Sequence, residues 1–130
     1  MGLKKSILIT AFLFLSLHFF SQTDSSSPYL KVRLLKAEKK PAGCGLFAWA
    51  LTQKFEILES SSAILNPKDI ILLIEPCPEG LGNSFFIANH FYKVWIKNES
   101  DALFKYIVIN NYVKEKLPSF WIQKIEVANN

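Results

Sequence analysis

The chain has 130 residues with a formal charge of +4, half of its residues are apolar and 14% are aromatic. That length sets one small domain, and that apolar content excludes an intrinsically disordered chain. Only two cysteines and two histidines are present, so a metal site of ordinary ligand spacing has almost nothing to draw on.

Residues 1–21 place Lys4 and Lys5 ahead of an apolar run over 7–20, followed by the polar stretch Ser21, Gln22, Thr23, Asp24 and Ser25. This order predicts a secretory signal peptide, cut after Ser21 or, as an alternative, after Ser25. A membrane span needs about 20 apolar residues, more than this run supplies, so cleavage is expected rather than anchoring. No cysteine stands at the junction to accept a lipid. The expected location is therefore secreted or periplasmic, with residues 22–28 a flexible leader and 29–130 a single domain. Removing Lys4 and Lys5 lowers the charge to +2, which gives little electrostatic pull toward nucleic acid or anionic membrane.

In 29–38, Leu30, Val32 and Leu34 alternate with Lys31 and Arg33, the pattern of a strand with one wet face. A turn over 39–43 leads to a long strand over 46–58. Its apolar face carries Phe47, Trp49, Leu51, Phe55 and Ile57, interrupted by Gln53, where a bulge is expected. The serines of 59–62 and Asn66-Pro67 end that unit. Residues 70–74 are unbroken apolar sequence, predicting a central strand covered on both sides. A loop follows over 76–82, and then a short helical turn is expected over 83–88, with Phe85 and Phe86 plugging one end of the core. Strands are predicted over 91–97, 104–113 and 120–127, with His90 just ahead of the first and Pro118 blocking helix before the last. About six short strands with one helical insertion predict an all-β, OB-like antiparallel Greek-key barrel.

An exported chain with Cys44 and Cys77 most simply pairs them. If 46–58 and 69–76 pair antiparallel, the start of one lies beside the end of the other, which is where the two cysteines sit. Closing a loop of roughly 30 residues contributes about 3–4 kcal/mol in the chain-entropy model.

Cys44-Gly45 before a long strand, and Ile74-Glu75-Pro76-Cys77 before Phe85, Phe86 and the strand carrying Tyr92 to Ile96, resemble netrin-like modules, including the domain of tissue inhibitors of metalloproteinases. The resemblance covers about residues 44–97 and implies an OB-type barrel with extracellular protein binding or protease inhibition. Those inhibitors chelate the protease metal with an N-terminal cysteine, whereas about 22 residues precede Cys44 after the expected signal peptide, so metal chelation is not implied here.

With no glycine-rich phosphate loop and no clustered carboxylates, a non-catalytic module that binds an extracytoplasmic protein is expected, with no cofactor and no metal. Candidate contact residues are Trp95, Tyr106, Tyr112 and Trp121, together with Lys93, Lys97 and Lys105. Two alternatives remain. Lys54, Lys93, Lys97 and Lys105 with neighbouring rings could hold nucleic acid or glycan. Cys77, with His90 or Glu79 beside it, could act as a thiol nucleophile or redox group. Asn98-Glu99-Ser100 matches a glycosylation acceptor in a predicted turn.

Overall fold

The computed structural model describes residues 27–40, 47–76, 81, 84–100 and 102–130. The expected signal peptide, both cysteines and Glu79 lie outside them. The described residues are all-β, with strands β1 (Tyr29–Leu34), β2 (Trp49–Ser60), β3 (Ile70–Pro76), β4 (Phe91–Lys97), β5 (Ile107–Ile109) and β6 (Ser119–Ala128) in one mixed sheet. Antiparallel pairs join β1 to β2, β1 to β4, β2 to β3 and β4 to β6, while β3 to β6 and β2 to β5 run parallel, so the sheet is mixed and not the wholly antiparallel one expected. Following neighbours from β1 through β4, β6, β3 and β2 returns to β1. These five strands each have two partners, and β5 adds to the start of β2.

Alternation decides which face carries the core. Leu30, Val32 and Leu34 of β1, Phe55 and Ile57 of β2, Ile71 and Leu73 of β3, and Tyr92, Val94 and Ile96 of β4 are buried together on the inner face. Phe120, Ile122 and Ile125 of β6 pack against them half-buried. Each of these fully buried side chains contributes about 1.5–3 kcal/mol relative to exposure, so the inner face supplies most of the driving force. β3 is buried on both faces, as its apolar run requires: Leu72 points outward and is still only 2% exposed. Pro118 O accepts a hydrogen bond from Leu72 N, extending the β3–β6 ladder, and on the neighbouring strands Lys54 pairs with Glu115 and Trp121 lies against Tyr106.

Several elements differ from the expectation. The bulge in β2 is not at Gln53: the register with β1 slips between Lys31 and Val32, leaving Leu58 as the extra residue. Gln53 keeps its inward position because its polar atoms are satisfied there. The helical turn expected over 83–88 is absent from residues 84–88, which bend and turn instead. The Tyr92 hydroxyl takes the backbone groups that a helix needs, donating to Phe85 O at 2.7 Å and accepting from Ile87 N at 2.8 Å. Asn89 then turns the chain with φ of 65°. Phe85 and Phe86 still pack on the core, their rings 5.5 and 5.6 Å from that of Tyr92. The one helical element among the described residues is the 3₁₀ turn Val113–Glu115. It begins at the last residue of the strand expected over 104–113, which shrinks to Ile107–Ile109. Asn110 Oδ1 accepts from Tyr112 N at 2.8 Å, an Asx turn that ends strand pairing.

Candidate functional site

Two polar features stand out, one inside the sheet and one on it. On the inner face, Gln53 and Glu75 are 2% and 4% exposed. They sit diagonally across the β2–β3 pair, since Gln53 is opposite Leu73 and Leu51 opposite Glu75. Gln53 Nε2 donates to Glu75 Oε1 at 3.0 Å, and Gln53 Oε1 accepts from Glu38 N at 3.2 Å. Glu75 Oε2 has no hydrogen-bond partner. Burial pushes the Glu75 carboxyl up to about 7, opposed by the Gln53 hydrogen bond and by the positive charge of Lys40. A cavity of about 360 Å³ beside this pair is lined by Glu38, Lys40, Gln53, Glu75 and Phe86 among others. Lys40 Nζ is tied to Leu81 O at 3.2 Å.

The outer face of β1, β4 and β6 carries the second feature. Since Leu30 and Val32 point inward, Tyr29, Lys31 and Arg33 point outward, and by the same alternation so do Lys93, Trp95 and Lys97. On β6 the register slips between Trp95 and Ile96, so Gln123 is the extra residue and Lys124 lies opposite Trp95. Lys93 Nζ sits 4.5 Å from the Tyr29 ring centre and 5.0 Å from that of Trp95, and Lys124 Nζ lies 4.6 Å from the same indole. Two ammonium groups thus share one indole, each held by the negative face of a π-system. Lys31 is directly opposite Lys93, a like-charge pair across strands.

Of the residues read from the sequence, Lys93 and Trp95 meet in this cluster. Lys97 pairs in register with Trp121, which stacks at 5.5 Å on Tyr106, itself 5.0 Å from Phe104. Lys105 is exposed beside them. Tyr112 belongs elsewhere: its hydroxyl donates to Glu38 and Lys54 Nζ lies 5.5 Å above its ring. Burial, and then the Glu38 carboxylate, raise the Tyr112 hydroxyl above its ordinary range. Tyr29 and Lys124 were not singled out by sequence reading; the wet-face position of Tyr29 beside Lys31 was the available signal. His90 is exposed ahead of β4, and the other members of the thiol alternative, Cys77 and Glu79, lie outside the described residues. Among the described residues no cluster of three or more His, Cys, Asp or Glu side chains is placed to hold a metal ion, and no helix is long and apolar enough to cross a membrane.

Searches of family models, curated proteins and solved structures return no match to this chain.

Proposed function

We propose that the chain is an exported, non-catalytic binding module with an OB-like Greek-key barrel, and that it meets a protein partner through the outer face of β1, β4 and β6. The barrel reading is supported by the circuit of five strands that returns to β1, with the parallel β3–β6 pair inside it. Export is supported by the leader pattern of residues 1–21, and the netrin-like resemblance points toward protein binding outside the cell. A Cys44–Cys77 bond fits the same reading. Ala50 pairs with Pro76, so the start of β2 and the end of β3, which the two cysteines flank in sequence, meet at one end of the sheet.

The single observation that carries the contact surface is the Lys93 and Lys124 pair on Trp95, beside Tyr29, which is 41% exposed. Trp and Tyr side chains are enriched among the residues that dominate interface energies. The test compares partner retention from the native extracytoplasmic fraction by the wild type and by a Tyr29→Ala/Trp95→Ala double variant. A specific partner lost at least tenfold by the variant is expected. Equal retention by both proteins overturns the assignment of this face. The second reading, glycan or nucleic acid on the same face, draws on the interleaving of cations and rings.

A further inference from the structure

We propose that the cavity beside the Gln53–Glu75 pair is a binding site for a small neutral polyol of monosaccharide size, a function separate from the outer face and independent of the protein-partner reading. The inner face of β3 runs Ile71, Leu73, Glu75 and that of β2 runs Gln53, Phe55, Ile57, so toward the end of β3 the apolar alternation gives way to an acid and an amide. Both side chains are buried, and Glu75 Oε2 has no hydrogen-bond partner. A buried polar atom left unpaired destabilises the fold, a cost that an apolar side chain at this position would not carry. Glu75 stands on the wall of a cavity of about 360 Å³, within the size range of small-molecule sites, where Ala37 and Phe86 supply apolar lining. A polar group seated in that cavity provides the partner that the carboxyl lacks.

The lining decides the class of ligand. Glu38 and Glu75 are matched in number by Lys39 and Lys40, so with Glu75 ionised the formal charges cancel, and with Glu75 protonated one positive charge is left over. Most of these groups are already engaged. The Glu38 carboxylate accepts from Asn111 Nδ2 at 3.2 Å and from the Tyr112 hydroxyl, Lys39 is exposed to solvent, and Lys40 Nζ spends one donor on Leu81 O. What is left is Glu75 Oε2 and the remaining N–H groups of the Lys40 ammonium. Hydroxyls serve both, since each can donate to an oxygen and accept from an ammonium. A hydroxyl also meets Oε2 in either protonation state, accepting from the acid or donating to the carboxylate, and burial raises Glu75 to about 7, where both forms are populated at neutral pH. An amine fits only the carboxylate, and a carboxylate ligand only the acid. The apolar C–H groups of a sugar ring suit the Phe86 wall.

The experiment titrates the isotope-labelled protein with glucose, galactose, mannose and myo-inositol, each up to about 50 mM, and follows its NMR shifts at pH 6 and pH 8. Ethylammonium chloride and sodium acetate form the charged arms. Methyl glycosides of the three sugars separate two sources of the same hydroxyls: they imitate the end of a longer glycan and block the anomeric hydroxyl of a free sugar, and binding of either form upholds the site. Saturable shifts at the Gln53 side-chain amide with at least one polyol are expected, with an affinity that changes less than threefold between the two pH values and falls at least tenfold in Glu75→Leu. Lys40→Met leaves the buried pair in place, so it keeps the test standing if Glu75→Leu does not fold, and it should weaken binding at least threefold. A ligand that needs the carboxylate would instead bind about tenfold more tightly at pH 8 than at pH 6, and one that needs the acid about tenfold less tightly. Tighter binding of ethylammonium or acetate than of every polyol, with that pH dependence, overturns the inference in favour of an ion. Absence of saturation with all the polyols and glycosides overturns it as well, as do shifts centred on the Trp95 indole in place of Gln53. None of these outcomes bears on partner capture by the outer face, which is tested separately by the Tyr29→Ala/Trp95→Ala variant.

Discussion

Glu75 is the side chain whose replacement has the most calculable effect. Its carboxyl is 4% exposed and has one hydrogen bond, from Gln53. Burial raises it from 4.5 to about 7, so the folded protein holds this proton more tightly than the unfolded chain does. The stability attached to the proton is therefore fully present below about pH 4.5 and is lost as pH rises through about 7. A gap of that size is worth about 3 kcal/mol, a large fraction of what a small domain has. In Glu75→Gln the amide is isosteric with the protonated acid. Its carbonyl can accept the Gln53 hydrogen bond and it never ionises. Wild type and variant should match within about 1 kcal/mol near pH 4.5, and the variant should be the more stable by about 3 kcal/mol at pH 8. Guanidinium unfolding at pH 4.5, 6 and 8 measures both, and other titrating groups cancel in the difference. A thermal scan at pH 8 should show the variant melting on the order of 15 °C higher. Parallel stability profiles for the two proteins across this range would refute the buried, proton-binding carboxyl.

Three further outcomes follow from the packing. Tyr92→Phe removes the hydroxyl that holds Phe85 O and Ile87 N, and should cost about 1–3 kcal/mol in chemical denaturation at neutral pH, with faster amide exchange at Ile87. Leu73→Ala empties a fully buried inner-face position and should cost about 2–5 kcal/mol; a loss below about 1 kcal/mol would place Leu73 outside the core. Cys44→Ser/Cys77→Ser should lower the melting temperature of the exported protein by about 10 °C or more, and an unchanged melting temperature would contradict the proposed bond.

The parts of the fold legible in the sequence are those where local alternation and tertiary burial agree. Phe91–Lys97 is read with its observed bounds because Tyr92, Val94 and Ile96 alternate with wet residues and nothing in the segment competes. Residues 104–113 alternate as well, yet only Ile107–Ile109 pairs. The Asn110 side chain offers the backbone a turn, and Phe104, Ile107 and Val113 stay more than half exposed, so little burial rewards a longer strand. The Gln53 break in an apolar face is visible in sequence, but its reason is not. Its partner Glu75 stands 22 residues away beside a proline, where it reads as the end of a strand. The outer-face cluster has the same character. Lys93 and Trp95 share a strand and are found together, whereas Tyr29 and Lys124 join them only through cross-strand register and a one-residue slip in β6.

That slip at Gln123 is what gives Trp95 its second cation. Without it, continuing the register from the Ile96–Ile122 pair would put Gln123, and not Lys124, opposite Trp95. The extra residue restores inward packing for both Ile122 and Ile125, which lie three apart and could not share a face of a regular strand. The bulge therefore serves the core and the surface together: it keeps two isoleucines inside while bringing an ammonium group onto the indole outside. Deleting Gln123 tests whether the bulge does anything beyond setting these two facings. The deletion brings Ile122 and Ile125 to two apart and leaves Lys124 opposite Trp95, so a regular strand preserves both the inward isoleucines and the outward ammonium group. Chemical denaturation of the deletion should stay within about 1 kcal/mol of the wild type, with unchanged indole fluorescence. A loss of several kcal/mol would show that the bulge is needed for more than the facing of these side chains.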